Sequence, residues 1–163
     1  MYNKYIFDSG PLIDLFTHYY PERFPSLWED FNTLVKNGQL MSVREVSKEL
    51  ESYGDSLSDW TKNNKNLFSP PHIDELKIVV EIFQKKHFQQ IVRRQEILKG
   101  KPVADPFVVA RAKYLDIEDV DAYVVTTEKF KGDNGVKLPN LCKYLDVKYI
   151  NLEEFMNIEG WRF

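Results

Sequence analysis

The sequence predicts an α/β fold in which helices cover both faces of a parallel sheet. Two observations lead to this class. Short runs of β-forming residues alternate along the chain with helical segments, as they do in sheets built from βαβ units. The 163 residues, of which 43% are hydrophobic and 29% charged, suit one globular domain with a sizeable core. We therefore expect a single domain over residues 1–163.

The first predicted element is a buried strand over residues 4–8, and a helix follows it at once. Pro11 suits the first position of that helix, with Ser9 or Gly10 at the cap. Apolar residues then recur at helical spacing, at Leu12, Leu15, Phe16 and Tyr19. The carboxyl end of the first strand should therefore lie directly beside a helix start.

Two capping-box patterns predict the next two helix starts. Ser26 and Glu29 form the first, and the helix behind it is expected to end at Gly38. Ser42 and Glu45 form the second, directly after a short second strand. Each cap would satisfy backbone amides that the first turn of a helix leaves unpaired.

Between residues 55 and 100 the chain is expected to be helical throughout, as an insertion in the domain. The alternation of strands and helices then resumes. The remaining expected elements are a helix from residue 104, a strand over residues 123–126, a helix over 139–145, a strand over 147–150 and a final helix capped by Asn151 and Glu154.

Composition and motifs exclude several functional classes. The net charge of −3 leaves no broad basic surface, which argues against a passive nucleic-acid-binding protein. Cys142 is the only cysteine, so an internal disulfide and a cysteine-rich metal site are excluded, and we expect this side chain to fill the core. The three histidines share no ligand spacing, and the sequence contains no phosphate-binding glycine loop.

The location of the protein is predicted from two further features. No apolar run approaches the ~20 residues that cross a bilayer. The amino terminus opens directly into a strand and lacks a signal-peptide pattern. We therefore expect a cytoplasmic protein without membrane association.

Four carboxylates stand at strand ends or helix starts. Asp8 follows the first strand, Glu49 lies in the helix after the second strand, Asp105 begins a buried helix, and Glu128 follows a later strand. Because the carboxyl ends of parallel strands meet at one edge of a sheet, these residues are candidates for a common site. Thr126 is a candidate hydrogen-bond partner for one of the carboxylates.

Three of these acids also have structural explanations. Asp8 and Asp105 could each serve as the N-cap of the helix that follows. Glu128 could be a surface turn residue. An ionised group after an apolar strand is costly unless it is paired or bound to a metal, and this favours a functional role for Asp8.

Glu45 and Glu49 are four residues apart and share one helix face. The capping box explains Glu45 without any function. Glu49 has no capping task, so its alternative is an exposed ion pair with Arg44 or Lys48. The spacing does not decide which glutamate faces the site, and we take Glu49 as the site residue with Glu45 in support.

Converging carboxylates require a cation. At ~5 Å each pair repels by roughly 3 kcal/mol at an effective dielectric near 20. Oxygen-only ligands select Mg²⁺ or Mn²⁺ over Zn²⁺, and such ions are typical of phosphoryl chemistry. We expect Asp8, Asp105 and Glu128 to be the metal ligands, with Glu49 beside the attacking water.

Four segments carry these acids in a recognisable order. They are residues 8–13 (DSGPLI), 46–50 (VSKEL), 104–112 (ADPFVVARA) and 125–130 (VTTEKF). In order and in spread over nearly the whole chain, they resemble the signature segments of PIN-domain ribonucleases. Residues 137–142 (KLPNLC) and 160–163 (GWRF) resemble an uncharacterised PIN-like family of prokaryotes related to VapC-type toxins.

The resemblance implies a three-layer α/β/α sandwich with a parallel sheet of about five strands. It also implies an endoribonuclease that uses Mg²⁺ or Mn²⁺, often as the toxin of a toxin–antitoxin pair with an antitoxin partner, and often as a homodimer. By position, Asp8, Glu49, Asp105 and Glu128 form its acidic cluster, supported by Ser9 or Thr126. Glu128 stands where aspartate is commoner, and Gly10 where many relatives carry a hydroxyl residue.

The function predicted is therefore metal-dependent cleavage of single-stranded RNA. Candidate contacts to the RNA backbone are Arg44, Lys48, Lys129 and Lys131, with Arg93, Arg94 and Lys101 as further cations. Two alternatives stay open: a PIN-like protein that binds or regulates without catalysis, and a metal-dependent phosphatase with Asp8 as nucleophile. The phosphatase is disfavoured because such a site usually has a second acid two residues on, where this chain has Gly10.

Overall fold

A computed structural model describes residues 2–91, 103–118 and 120–163. Its sheet contains five strands, all parallel, in the spatial order β3-β2-β1-β4-β5. The strands are β1 (Asn3–Phe7), β2 (Leu40–Val43), β3 (Phe68–Ser69), β4 (Asp121–Val125) and β5 (Lys148–Ile150). This parallel sheet with its helices is consistent with the predicted three-layer α/β/α fold.

Eight α-helices lie within the described residues. They are α1 (Ser9–His18), α2 (Pro25–Lys36), α3 (Arg44–Leu50), α4 (Asp55–Asn63), α5 (Ile73–Gln84), α6 (Asp105–Ile117), α7 (Leu138–Leu145) and α8 (Leu152–Glu159). Two 3₁₀ turns, Lys65–Leu67 and Lys86–Gln89, precede and follow α5 along the chain. None of the described helices is both long and apolar enough to cross a membrane.

The short strand β3 lies where the sequence predicted only helix. Phe68 and Ser69 form β3, which pairs with β2 through Ser42 and Val43 at the edge of the sheet. The prediction of a wholly helical stretch over residues 55–100 is therefore wrong at this point. A two-residue strand is too short to show the alternation on which strand prediction depends. The part of that prediction covering residues 92–100 lies outside the described residues.

Two of the predicted capping boxes are also wrong. Ser42 lies inside β2, and its hydroxyl donates to the carbonyl of Phe7 at 2.7 Å, which ties β2 to the end of β1. Val43 takes the N-cap position of α3 without a side-chain hydrogen bond. Ser26 is the second residue of α2, after Pro25, and Phe24 occupies its N-cap position. Sheet pairing and a proline thus set these two helix starts.

The capping box of the last helix is confirmed. The Asn151 side chain accepts from the Glu154 amide at 2.8 Å, and the Glu154 carboxylate accepts from the Asn151 amide at 3.2 Å. Gly160 then ends α8 with a positive φ of 69°. The pattern succeeds here because no sheet pairing competes for the capping residue.

β1 is the centre of the hydrophobic core. Tyr5, Ile6 and Phe7 are fully buried between the helical layers. The Phe155 ring of α8 packs edge-on against Tyr5 and Phe7, with ring centroids 4.7 and 5.0 Å apart. Phe31 of α2 contacts Phe7 in the same way at 6.3 Å. These aromatic contacts hold β1 firmly, so the residue after it has a well-defined position.

Arg111 of α6 joins the β2–β3 edge to the helices. Its buried guanidinium pairs with Glu75 of α5 at 3.2 Å and donates to the Ser42 carbonyl at 2.6 Å. It also donates to the Ser69 hydroxyl at 2.8 Å and to the Pro70 carbonyl at 2.9 Å. The short strand β3 is therefore held by side-chain hydrogen bonds as well as by backbone pairing.

We expect Arg111→Met to lower the free energy of unfolding by about 3–5 kcal/mol, because Glu75 would be left as a buried, unpaired carboxylate. Urea denaturation measures the change. The matched control is Lys77→Met, which removes an exposed pair with Asp74 and should change stability by less than about 1 kcal/mol. Equal effects of the two substitutions would contradict a structural role for Arg111.

Candidate metal centre

The register between β1 and β4 sets the geometry of the site. Phe7 pairs with Val125, so Asp8 and Thr126 leave the sheet at the same level. The Asp8 amide donates to the Val125 carbonyl at 2.9 Å and extends this pairing by one residue. The chain order reverses between β1 and β4, since β2 and β3 follow on one side and β5 on the other. Ligand sites in open α/β sheets form at such a reversal.

Asp8 lies at the N-cap position of α1, yet its side chain makes no capping hydrogen bond. Its carboxylate, only 5% exposed, instead accepts from the Thr126 hydroxyl at 3.1 Å. Burial raises the pKa of Asp8 to about 7, and the negative charges of Glu128 and Glu49 add to the shift. The amide of Ser9 and the hydroxyl of Thr126 act in the opposite direction on this pKa.

Two hydrogen bonds, each with a backbone amide as the donor, fix the position of Glu128. Its own amide donates to the Thr126 hydroxyl at 3.1 Å, and its carboxylate accepts from the amide of Leu138 at 2.9 Å, where α7 begins. Thr126 therefore joins Asp8 and Glu128 through a single hydroxyl group. These bonds fix a half-buried Glu128 beside the end of β1 and distinguish it from a mobile surface turn residue.

Asp105 is the first residue of α6 and is 4% exposed, while Ala104 occupies the N-cap position. Ala104 donates its amide to the carboxylate of Glu49 on α3 at 3.2 Å. The expectation that Glu49 has no capping task is therefore wrong, because it binds the amide of a helix other than its own. Glu49 positions the start of α6 and so helps to position Asp105.

Three carboxylates converge at this edge of the sheet. One oxygen from each of Asp8, Asp105 and Glu128 lies within 4.8 Å of the other two. They come from the end of β1, the start of α6 and the segment after β4. At this separation each ionised pair repels by roughly 3 kcal/mol at an effective dielectric near 20. An all-carboxylate donor set fits a hard divalent cation such as Mg²⁺ or Mn²⁺.

A family model described as "Domain of unknown function (DUF4411)" matches residues 5–163. The chain belongs to the DUF4411 family. The match covers all three converging carboxylates as well as Glu49. Neither the curated proteins nor the solved structures contained a match to this chain.

The two glutamates of α3 have different environments in this DUF4411 member. Glu49 is half-buried and near enough to Asp8 to raise its pKa. Glu45 is buried and pairs with Arg44 at 3.0 Å; it makes no capping contact with Ser42. Glu49 is therefore the member of the pair that acts electrostatically on the cluster.

Basic residues line two cavities, and one of the two borders the carboxylates at Glu128. Lys129, Lys131 and Lys137 line a cavity of about 310 Å³ that Glu128 also borders. A second cavity, of about 170 Å³, is lined by basic residues of three neighbouring elements at the β2 side of the sheet: Arg44, Lys62 and Lys65. Lys48 is exposed on α3.

The sequence did not single out three of these cations. Lys62, Lys65 and Lys137 lie outside the four segments that carry the acids, and the fold brings them to cavities that Arg44 or Glu128 also lines. Their sequence context is that of any exposed lysine. The predicted cations Arg93, Arg94 and Lys101 lie outside the described residues.

Cys142 of α7 is buried, as predicted for a core residue. Burial raises the pKa of its thiol, and the charges of Asp105, Asp8 and Glu128 raise it further. The thiol is therefore protonated at neutral pH and is a poor nucleophile. This neutral thiol is near enough to the three carboxylates for their charges to act on it.

Gly10 is required by the side chain of Thr127. A Cβ atom at position 10 would overlap the Thr127 hydroxyl oxygen and lie 3.1 Å from its methyl carbon. Thr127 therefore fills the space that a larger residue at position 10 would occupy. Because threonine is branched at Cβ, it cannot easily turn away. This contact joins the first turn of α1 to the segment that carries Glu128.

We expect Gly10→Ala to destabilise the protein by about 1–3 kcal/mol through overpacking. The sign is informative, because Gly→Ala inside a helix normally stabilises by about 0.4–1 kcal/mol. In the double variant with Thr127→Ala, the loss should be largely recovered. Chemical denaturation of the two single variants and the double variant measures this coupling, and additive effects would contradict the contact.

The raised pKa of Asp8 predicts a pH-dependent stability when EDTA removes metal ions. Between about pH 4 and pH 7 the folded state binds more protons than the unfolded chain, so the free energy of unfolding falls as pH rises. The fall contributed by Asp8 is on the order of 4 kcal/mol and ends above pH 7. Denaturation at a series of pH values measures it.

The comparison is between Asp8→Asn and Asp116→Asn. Asp8→Asn should lose this component of the pH dependence. Asp116 is an exposed acid near the far end of α6, so Asp116→Asn should keep it. Identical pH profiles for both variants would show that Asp8 is not the titrating group.

Proposed function

We propose that this protein is a metal-dependent endoribonuclease that hydrolyses single-stranded RNA. The observation that carries the proposal is the convergence of Asp8, Asp105 and Glu128 within 4.8 Å at the point where the strand order reverses. The resemblance of the acidic segments to PIN-domain ribonucleases supports the same reaction. The lysine-lined cavity that Glu128 borders supports a polyanionic substrate.

Asp8, Asp105 and Glu128 would hold one or two Mg²⁺ or Mn²⁺ ions. Such an ion activates water at neutral pH and offsets the charge that develops on the phosphate. The pKa of Asp8, raised to about 7, means that its proton competes with the cation below neutrality. The protein should therefore bind the ion more tightly as the pH rises toward 7.

Glu49 would act on the attacking water. One of its oxygens accepts from the Ala104 amide, which leaves the other to orient the water and take its proton. Thr126 would keep Asp8 and Glu128 in their relative positions through its shared hydroxyl. Water attack at the phosphorus would leave a 5′-phosphate and a 3′-hydroxyl.

The substrate is proposed to be unpaired RNA. The converging carboxylates lie beside the lysine-lined cavity that Glu128 borders, and a single strand can bend its backbone toward them more easily than a duplex. Lys129, Lys131 and Lys137, in the cavity that Glu128 borders, would contact phosphates. Contacts from Arg44 and Lys48 stay predictions. We propose further that the protein is the toxin of a toxin–antitoxin pair, on the resemblance to VapC-type toxins alone; an antitoxin partner and a homodimer stay predictions.

We expect Asp8→Asn and Asp105→Asn to lower Mn²⁺-dependent cleavage of a single-stranded RNA by at least a hundredfold, since each removes a metal ligand. Asp116→Asn is the matched control. It changes the same residue type on the same helix as Asp105, about 16 Å away along the axis, and should cleave like the parent. Gel analysis of end-labelled RNA measures the rates.

A second measurement separates metal binding from catalysis. Millimolar Mn²⁺ should raise the melting temperature of the parent and of Asp116→Asn, but not that of Asp8→Asn. Parent-like cleavage by both Asp8→Asn and Asp105→Asn would overturn the proposal. Cleavage of a simple phosphate monoester, without cleavage of RNA, would instead favour the phosphatase.

A further inference from the structure

A second cavity borders the proposed metal centre and has a different chemistry. It measures about 310 Å³ and opens at the carboxyl ends of β4 and β5. Thr126 and Glu128, which belong to the centre, line one side of it. Phe130 and Tyr149 provide aromatic surface, and Asn151 and Glu154 provide a polar edge. The function proposed above uses neither aromatic residue.

The two aromatic side chains that line this cavity are exposed to solvent. Phe130 is 37% exposed and Tyr149 is 38% exposed. Phe130 lies two residues after Glu128, and Tyr149 lies on the edge strand β5, where it pairs with Val124 of β4. A flat ligand in this cavity could therefore contact an aromatic ring while its neighbouring group lies at the carboxylates.

Phe130 contacts an exposed ion pair. The ammonium group of Lys143 lies 4.8 Å from the centre of its ring, and Asp133 holds that ammonium at 2.9 Å. The same ring also borders a neighbouring cavity that contains Lys143 and Asp133. Phe130 therefore contacts a cation and also lines the cavity that Glu128 borders.

The segment between β4 and α7, which carries Phe130, is anchored rather than loose. The amide group of Asn140 donates to the Gly132 carbonyl at 2.8 Å, and its oxygen accepts from the Lys137 amide at 3.3 Å. The His87 ring bonds the Gly135 carbonyl at 2.8 Å. These bonds make the aromatic wall and the lysine-lined cavity parts of one pre-formed surface.

We propose that this cavity binds an unpaired nucleobase of the RNA substrate, stacked on Phe130 or Tyr149 next to the scissile phosphate. The inference rests on the proposed nuclease function and adds a base-binding position to it. Glu128 borders both this cavity and the one lined by Lys129, Lys131 and Lys137. A nucleotide has the matching composition, since its phosphate suits the lysines and its base suits the rings.

The alternative of an apolar peptide fits this surface less well. A peptide side chain would gain from the rings but would place no anion near the lysine-lined cavity. The polar edge formed by Asn151 and Glu154 also suits the hydrogen-bonding edge of a base. Every base has a flat face that can stack on an aromatic ring. The proposal therefore predicts little sequence preference.

The test measures binding of a short single-stranded RNA in the Asp105→Asn background, where the RNA should stay intact. At least one of Phe130→Ala and Tyr149→Ala is expected to weaken binding about 5- to 150-fold, the range that one stacked base contributes, and the affected variant identifies the ring on which the base stacks. Phe130→Trp should retain parent-like affinity. The control is Tyr20→Ala, a more exposed aromatic residue (54%) beyond the carboxyl end of α1, about 15 Å along that helix from Asp8.

RNAs that lack one base identify what occupies the cavity. An abasic nucleotide, moved one position at a time past the mapped cleavage site, should weaken binding at one position by the same factor as Phe130→Ala or Tyr149→Ala. At that position the variant and the abasic RNA together should cause no further loss. A 2-aminopurine placed there should lose fluorescence on binding to the parent background and keep it with the alanine variant.

The outcomes separate this inference from the nuclease proposal. If the parent cleaves RNA and both aromatic variants bind intact and abasic RNA as the Tyr20→Ala control does, the base site is refuted and the nuclease stands. If the parent neither binds nor cleaves RNA with Mn²⁺, both are refuted. Melting temperatures of Phe130→Ala and Tyr149→Ala within a few degrees of the parent exclude unfolding as the cause of weak binding.

Discussion

The parallel pairing of β1 with β4 is the contact on which the arrangement of charge in this protein depends. Phe7 lies opposite Val125, and the chain leaves both strands at the same level. Asp8 and Thr126 therefore become neighbours although 118 residues separate them. Since the chain order reverses at this pair of strands, the connecting segments diverge and a crevice forms between them. A shift of one residue in this register would turn Asp8 away from Thr126.

The same crevice concentrates charge that the fold must tolerate. Asp8 and Asp105 are almost fully buried, and Glu128 approaches both within 4.8 Å. The hydroxyl of Thr126 and the Leu138 amide offset a part of the repulsion, and protonation of Asp8 near neutral pH offsets another part. The remaining stability must come from elsewhere, and the fully buried aromatic packing around β1 and the Arg111 network are suited to supply it. Electrostatic repulsion of this kind is relieved when a cation binds between the carboxylates.

Helix starts show where sequence patterns were sufficient and where they were not. The Asn151 and Glu154 box was predictable because both partners lie within one turn and nothing else competes for them. Ser42 has the same local pattern, but its hydroxyl donates to the Phe7 carbonyl across the sheet. Glu49 illustrates the opposite case, since it binds the Ala104 amide 55 residues away, a contact that no local pattern can show. Local rules thus hold until a tertiary partner with better geometry is available.

The sequence by itself determined the fold class, the central strands and the identity of the acids, because hydrophobic period and strand-end position are local properties of the chain. Tertiary structure alone decided that Asp8, Asp105 and Glu128 share one point while Glu45 pairs with Arg44. It also decided that Phe68 and Ser69 form the edge strand β3. The physical reason is the same in each case: distances between residues far apart in sequence depend on strand register and helix packing, and these are properties of the assembled core.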